Sequence, residues 1–483
     1  MCFELNIIIA ILLTALVLCN FIYARHRYND SRINIANTLL IVQVLFQISF
    51  PAFYGLLEGY PWELYYDVAP EHLVIVYAVE LIAVSCWLVG FYGLRKIYRN
   101  VSRRQLFPVM SPKSTNILLC LFVFMTFAVL MAELGHGLGS YGRLEAYDAQ
   151  HIPEENIILW PWGLSIPGTI WIPIKHIFYL PGIIAGGILA TRPISKTSGM
   201  LLRLLGWAVV ILLVIYGIVV GLRQFILGAV IIVLIAGISQ GNRRGLKSIA
   251  VAGGVLLVLI APLMGSGYRD VLMRSDATGL GPIQRIALLY QMRSTQEEKN
   301  PITDIWHAAG FRLCDALLST GLVKATLRGE PAGLKPLASS LCAPIPRALW
   351  PNKPAPGSSD GTSEGLATFV VWKELTGQSW GLCGPFTTSS HSFWELHIIG
   401  VILFGILSGL FARTAMEATR QAGVIGLIIW ILSMKPFAFV VHLWVPEIIR
   451  LIIQVIFPVI IIVWFWYLLW RIIILFKTRV RPG

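Results

Sequence analysis

Long runs of apolar residues alternate with short polar connections over most of this 483-residue chain. A helix needs about 20 mostly apolar residues to cross the hydrocarbon core of a bilayer. The pattern therefore predicts eleven transmembrane helices, and the last of them is long enough to tilt. They cover approximately residues 5–24, 36–57, 72–94, 115–134, 168–190, 201–220, 222–240, 246–265, 391–412, 422–442 and 446–476.

The connections between these stretches alternate in charge. Segments 25–35 and 95–114 are basic, whereas segments 58–71 and 135–166 are net acidic. Basic residues return in later connections, at Arg192, Lys196, Arg243, Arg244, Lys247, Arg413, Arg420, Lys477, Arg479 and Arg481. All of these basic connections fall on one side of an eleven-span arrangement, and the positive-inside rule makes that side cytoplasmic. We therefore expect the N-terminus on the outer side of the membrane and the C-terminus in the cytoplasm.

One connection, residues 266–390, is long and polar, and it falls on the outer side. Apolar residues at helical spacing predict helices at 282–295 and 302–328. The Pro-, Gly- and Ser-rich stretch 331–365 is expected to be irregular. The predicted fold is an all-α integral membrane protein with one large extracytoplasmic loop. Its three parts are 1–265 with helices 1–8, the loop 266–390, and 391–483 with helices 9–11 and the cytoplasmic tail.

The composition supports this reading. Hydrophobic residues make up 56% of the chain and charged residues 13%, whereas soluble domains carry about 25% charged residues. A soluble enzyme, a disordered chain and a nucleic-acid-binding module are therefore excluded as classes. The net charge of +13 follows from cytoplasmic Lys and Arg. The seven cysteines are an odd number, so no disulfide framework is implied.

The outer loop carries twelve Lys and Arg residues against ten Asp and Glu. A guanidinium group matches two phosphate oxygens at once, so these residues suit a phosphate or diphosphate on a lipid. The alternative is that they pair with the acidic residues of the same loop. Arg223 lies between two apolar stretches, where an ionisable residue is a functional candidate or extends to the membrane interface.

Several familiar site patterns are missing from the sequence. It contains no Asp-x-Asp pair, no phosphate-binding Gly-rich loop after a strand and no Cys/His cluster with zinc spacing. We therefore expect no metal and no cofactor. If the chain is an enzyme, guanidinium groups must stabilise the leaving-group charge.

The string PIPRALWPNKP at 344–354 ends the large outer loop and resembles the O-antigen polymerase (Wzy) family of oligosaccharide repeat-unit polymerases. Other features similar to that family are spread over about 217–412. They are the Gly-x-x-x-Gly-x-Arg turn from Gly217 to Arg223, Tyr268-Arg269, Phe311-Arg312-Leu313, and the Ser/Thr-rich run 387–396 followed by Gly400, Gly405 and Gly409.

The resemblance implies a bacterial inner-membrane glycosyltransferase that moves a glycan from undecaprenyl diphosphate onto the sugar of another lipid-linked repeat unit. Such chemistry needs a base for the attacking hydroxyl and cations on the departing diphosphate. The candidate base is His391 or Glu395, which are four residues apart and share one helix face. The diphosphate candidates are Arg223, Arg269, Arg312, Arg347 and Lys353. The sugar-stacking candidates are Trp350 and Trp380.

Alternatives stand beside each assignment. His391 could be a helix-capping or interface histidine, Glu395 could pair with a loop arginine, and Trp350 could be scaffold that orients Arg347. The pair His391-Ser392 also resembles the related O-antigen ligases, which transfer to a lipid A core. A flippase for the same lipid-linked oligosaccharide would have a similar basic composition, although the sequence shows no internal repeat of the kind transporters have. Expected partners are the lipid-linked substrate, membrane lipid, a chain-length regulator and a flippase; no nucleic acid is expected.

Overall fold

The computed structural model describes residues 2–28, 30–58, 69–103, 107–137, 156–159, 164–192, 197–220, 223–240, 315–342, 350, 370–371, 373–375, 377, 387–433, 449 and 452–479. The helices found there are α1 Cys2–Tyr28, α2 Ser31–Gln43, α3 Phe50–Glu58, α4 Pro70–Gly93, α5 Arg95–Arg103, α6 Pro112–Gly137, α7 Gly168–Thr191, α8 Thr197–Val220, α9 Arg223–Ser239, α10 Asp315–Leu327, α11 Lys335–Cys342, α12 Thr388–Ala418, α13 Gly423–Ser433 and α14 Phe457–Arg479. Val44–Ser49 and Ile452–Ile456 are π-helical.

The chain divides into two compact units. The first consists of Met1–Arg104, Ala309–Ala418 and Ser433–Ile453, and the second of Gln105–Ala308, Thr419–Leu432 and Gln454–Gly483. The first unit therefore combines the early helices of the chain with part of the predicted outer loop and with α12. This combination brings residues of α4, α10 and α12 together, although they are far apart in the sequence.

In the first unit, α12 packs along α4. Small residues spaced four apart allow helix backbones to approach closely in membranes, and α12 carries Gly405 and Gly409 at that spacing. A Cβ atom added to Gly409 would lie 2.2 Å from the carbonyl oxygen of Trp87 on α4. The side chains of Trp87 and Phe91 are fully buried beside this contact, with their rings stacked at 4.7 Å between centroids.

In the second unit, α6, α7, α8 and α9 pack against one another. Their common core includes Leu130, Ile183, Leu213 and Val233. Helices α6 and α7 also touch closely, because the Thr126 hydroxyl donates to the Phe178 carbonyl oxygen at 2.6 Å. The indole N–H of Trp466 on α14 donates to the hydroxyl of Ser114 on α6 at 3.1 Å.

Six of the predicted spans are confirmed as helices long and apolar enough to cross a membrane. They are Glu4–Tyr28, Pro70–Gly93, Pro112–Met131, Gly199–Tyr216, Ser389–Ala418 and Phe457–Phe476. Helix α14 leaves Phe465 and Phe476 about two-thirds exposed, at 67% and 66%, as lipid-facing side chains would be. The chain is therefore a predominantly helical, multi-pass membrane protein.

The other five spans remain predictions. Region 36–57 is helical through α2, Val44–Ser49 and α3, and region 168–190 corresponds to α7. Helix α9 has 17 residues and α13 has 11, shorter than a full span. Residues 246–265 and 434–442 lie outside the described residues.

Two expectations about the polar connections need correction. Stretch 331–365 is not irregular throughout, because Lys335–Cys342 forms α11. Its proline is at the second position, where a missing N–H is tolerated. The acidic connection 135–166 ends in an unpredicted antiparallel hairpin, in which β1, Asn156–Leu159, pairs with β2, Leu164–Pro167. Helix 302–328 is confirmed for Asp315–Leu327; residues 302–314 and helix 282–295 lie outside the described residues.

Candidate functional site

The site residues predicted from the sequence fall into two groups. Arg269, Arg312, Arg347, Lys353 and Trp380 lie outside the described residues. Arg223 is the first residue of α9, directly after the connection from α8, and its side chain is not among those described. The side chains of His391, Glu395 and Trp350 are described, and Trp350 is 37% exposed.

His391 and Glu395 lie in the head of α12, the helical segment from Thr388 to Glu395. Both side chains are buried, at 5% and 1% exposure. The amide of His391 donates to the Thr387 carbonyl oxygen at 3.3 Å, so this residue follows directly on the first turn. The ring of Trp394 lies edge-on to the imidazole, with 6.5 Å between centroids.

The first turn of α12 is held by a chain of buried hydroxyl groups. The Thr387 and Ser390 hydroxyls are 2.7 Å apart and share a hydrogen bond. Ser319 on α10 donates to the Thr387 hydroxyl at 3.2 Å and accepts from the Thr387 amide at 2.9 Å. Buried polar groups need such partners, because an unsatisfied one is expensive away from water. The beginning of α12 is thereby fixed to α10.

Glu80 is a functional candidate that the sequence did not single out. It lies in the middle of the apolar helix α4 and is 2% exposed, and its carboxylate accepts a hydrogen bond from the Ser389 hydroxyl. The only signal in the sequence was an acidic residue inside an apolar stretch. The structure thus places two buried carboxylates, Glu80 and Glu395, and the imidazole of His391 around one end of α12.

A further connection ties the α12 head to the segment after α10. The indole N–H of Trp394 donates to the Glu330 carbonyl oxygen at 3.2 Å, and the Ala332 amide donates to the Trp394 carbonyl oxygen at 2.9 Å. The Trp394 side chain packs in a core cluster with Leu322 and Leu375. The loop residues around 330 are therefore held beside the candidate site.

Helix α12 is interrupted immediately after Glu395. Leu396 has φ −133° and ψ 27°, and His397 has φ 54° and ψ −149°. His397 is the only described non-glycine residue with a positive φ, a conformation that costs on the order of 1–3 kcal/mol and occurs preferentially at functional sites. Beyond the break, a Cβ on Gly400 would lie 2.3 Å from the Ser392 carbonyl oxygen. The backbone at position 400 therefore lies too close to Ser392 for any residue with a side chain.

The chemistry available at the α12 head is that of an acid–base site. An imidazole and carboxylates can exchange protons, and hydroxyl and carboxylate groups can bind sugar hydroxyls. Within the described part of the chain, no group of three or more His, Cys, Asp or Glu side chains could hold a metal ion.

A second buried charged cluster lies at the other end of α12. The Arg413 guanidinium bonds the Glu417 carboxylate at 2.8 Å and faces the rings of Tyr28, Phe91 and Tyr98, each 5.4 to 5.6 Å from its carbon. The Tyr98 hydroxyl donates to the Gly90 carbonyl oxygen. Burial raises the pKa of Tyr98 to about 12, and the Arg413 charge offsets part of that rise. This cluster fastens α12 to α1, α4 and α5.

The comparisons with known proteins give no match. No family model, no curated protein and no solved structure is significantly similar to this chain.

Proposed function

We propose that the protein is a glycosyltransferase of the bacterial inner membrane that polymerises undecaprenyl-diphosphate-linked oligosaccharide repeat units into a surface polysaccharide. The reaction takes place on the periplasmic face, with the N-terminus periplasmic and the C-terminus cytoplasmic. The observation that carries the proposal is the buried group of His391, Glu395 and Glu80 at one end of an interrupted membrane-length helix. The polymerase-like string at 344–354 supports it.

In the proposed reaction a sugar hydroxyl of one repeat unit attacks C1 of the sugar on the other lipid diphosphate. The new bond joins the hydroxyl oxygen to C1, and the bond from C1 to the phosphate oxygen breaks. Its electron pair leaves with the diphosphate. The hydroxyl proton passes to His391 or Glu395, whose buried positions one turn apart suit a base. Arg223, Arg269, Arg312, Arg347 and Lys353 bind the diphosphate, and Trp350 or Trp380 stacks on a sugar ring.

Two alternatives use the same lipid carrier. A ligase would transfer the glycan to a lipid A core, and the pair His391-Ser392 is the feature that favours it. A flippase would move the lipid-linked unit across the membrane without breaking a bond. The location of unreacted repeat units separates a polymerase from a flippase. A blocked polymerase leaves them outside, whereas a blocked flippase leaves them facing the cytoplasm.

Reconstitution tests the proposal directly. Purified protein in liposomes receives lipid-linked repeat units in the presence of a chelator, and a ladder gel displays the products. We expect a ladder of chain lengths that is unaffected by the chelator. Absence of a ladder from properly inserted protein contradicts the proposed polymerase.

The variant Arg347→Ala tests the diphosphate assignment. We expect normal expression but single repeat units instead of long chains, because the leaving-group charge loses a bidentate partner. The matched control is Arg328→Ala. Arg328 is another arginine of the same loop, but it is 58% exposed and pairs with Glu374 at 2.8 Å. Chains of normal length from Arg347→Ala would remove Arg347 from the site.

A further inference from the structure

We infer that Glu80 is a positioning residue, which holds the head of α12 in place through Ser389 and thereby sets the positions of His391 and Glu395. Its effect on catalysis rests on the proposed function, whereas its effect on the order of the α12 head does not. The inference is carried by a hydrogen bond between residues 309 positions apart in the sequence.

The first step of the argument is the location of Glu80. A carboxylate inside an apolar membrane helix is expensive, and α4 carries this one at 2% exposure. Such residues persist where they have a specific polar role. Here the carboxylate accepts the hydrogen bond of Ser389, and the Ser389 hydroxyl also lies 3.3 Å from that of Thr387. Glu80 therefore belongs to the hydroxyl chain that surrounds the first turn of α12.

The second step concerns how that turn is held. Ser319 on α10 bonds both the amide and the hydroxyl of Thr387, and Glu80 on α4 bonds Ser389. Two neighbouring helices thus fix two residues of one turn. The position of this turn also determines the position of His391, because the His391 amide donates to the Thr387 carbonyl oxygen.

The third step is the break at Leu396 and His397, which separates the head from the long body of α12. The head spans only the eight residues 388–395, and an isolated helix below about 12 residues is marginal. A rigid continuous helix would orient its first residues by itself. This head instead depends on tertiary contacts, and the Glu80–Ser389 bond is one contact that α4 makes with it.

Hydrogen–deuterium exchange of the full-length protein in detergent tests the positioning directly. In Glu80→Ala we expect the amides of 388–395 to exchange about tenfold faster, since an opening that loses one hydrogen bond becomes easier by about that factor. Glu80→Gln keeps an amide oxygen that can accept from Ser389, so we expect exchange close to that of the unaltered protein. The matched control is Ser85→Ala on the same helix, because the Ser85 hydroxyl donates within its own helix, to the Leu81 carbonyl oxygen at 2.8 Å.

Ser389→Ala provides a second route, because it removes the donor and leaves Glu80 intact. Ser389→Ala should raise the amide exchange rates of residues 388–395 as Glu80→Ala does. It replaces Glu80→Ala in the test if that variant does not fold. Unchanged exchange of these amides in Ser389→Ala or Glu80→Ala would overturn the inference, whatever activity the protein has.

The polymerisation assay supplies the catalytic test. Displacement of a reacting group by about 1 Å costs on the order of a hundredfold in rate. We therefore expect Glu80→Ala to lower kcat by about that factor with little change in KM, and Glu80→Gln to keep most of the kcat of the unaltered protein.

The double variant Glu80→Ala with Ser389→Ala should be no slower than either single variant, since both substitutions remove the same interaction. An inactive Glu80→Gln with normal exchange would instead make Glu80 a chemical participant and refute positioning. If the unaltered protein has no polymerase activity, only the proposed function is contradicted. The hydrogen–deuterium exchange experiment would still show whether Glu80 positions the head of α12.

Discussion

Replacing Gly409 with alanine should push α4 and α12 apart. The substitution adds one carbon at a point where the two helix backbones approach closely. That carbon would lie 2.2 Å from the Trp87 carbonyl oxygen and 2.9 Å from the Phe91 amide nitrogen, and both are backbone atoms. A flexible side chain could move out of the way, but backbone atoms move only if a helix moves. The variant therefore tests whether the α4–α12 contact has the close spacing described above.

The size of the effect follows from two opposing contributions. Alanine is better than glycine in a helix by up to about 1 kcal/mol. Against this, the helices must separate by roughly 1 Å, and overpacking of a tight contact typically costs about 1–3 kcal/mol. The same separation would disturb the neighbouring contact of Gly405, whose added Cβ would lie 2.8 Å from the Cys86 Cβ. We expect a net loss of about 1–2 kcal/mol in the free energy of unfolding.

The assay is unfolding in mixed micelles with increasing SDS, followed by circular dichroism. The matched control is Gly199→Ala on α8, because a Cβ on Gly199 would meet nothing within 4 Å. This control should be neutral or slightly more stable. If Gly409→Ala equals or exceeds the stability of Gly199→Ala, the close approach of α4 and α12 is wrong.

The remaining predictions concern the cluster at the other end of α12. Glu417→Ala should lower the free energy of unfolding by about 3 kcal/mol, because the buried Arg413 guanidinium loses its carboxylate partner. In the same SDS titration, the double variant Arg413→Met with Glu417→Leu should recover most of that loss. If Glu417→Ala is as stable as the unaltered protein, the buried ion pair is wrong. Burial raises the pKa of Tyr98 from 10.0 to about 12 in the folded state, so well below pH 10 its phenol is neutral in both the folded and the unfolded state. The free energy of unfolding should therefore fall as the pH rises from about 10 to about 12. This fall should be absent in Tyr98→Phe. If the unaltered protein and Tyr98→Phe lose stability equally over that range, Tyr98 is not the group responsible.

Much of the membrane architecture could be predicted from local pattern. Six apolar stretches became helices of membrane length because span length and hydrophobicity are properties of a continuous segment. The helix over Asp315–Leu327 also followed from its spacing of apolar residues. Helix α11 and the hairpin of β1 and β2 were missed, because short elements in Pro- and Gly-containing connections give weak periodic signals. A closer reading of Asn156–Leu159 and Leu164–Pro167, two short apolar runs around a Pro/Gly turn, would have indicated the hairpin.

The candidate site was only partly predictable. His391 and Glu395 were chosen as candidates for the base that the family resemblance implies, and their spacing predicted a shared helix face; the structure places both in one buried helical segment. Their catalytic role stays a prediction. Glu80 could not be chosen over other acidic residues in apolar stretches, such as Glu133, because its neighbours in the sequence do not indicate which residue its carboxylate bonds. The break at His397 was likewise invisible, since neither proline nor glycine marks it.

The sequence by itself determined that this chain is a membrane protein, where its long apolar segments run, and that His391 and Glu395 lie about one helical turn apart at the start of α12. These properties depend on neighbours along the chain. Only the tertiary structure decided that Glu80 meets Ser389, that Ser319 holds Thr387, and that Arg413 lies among three aromatic rings. The physical reason is that a buried polar group must find a partner wherever packing places one, and helix packing joins residues that the sequence keeps hundreds of positions apart.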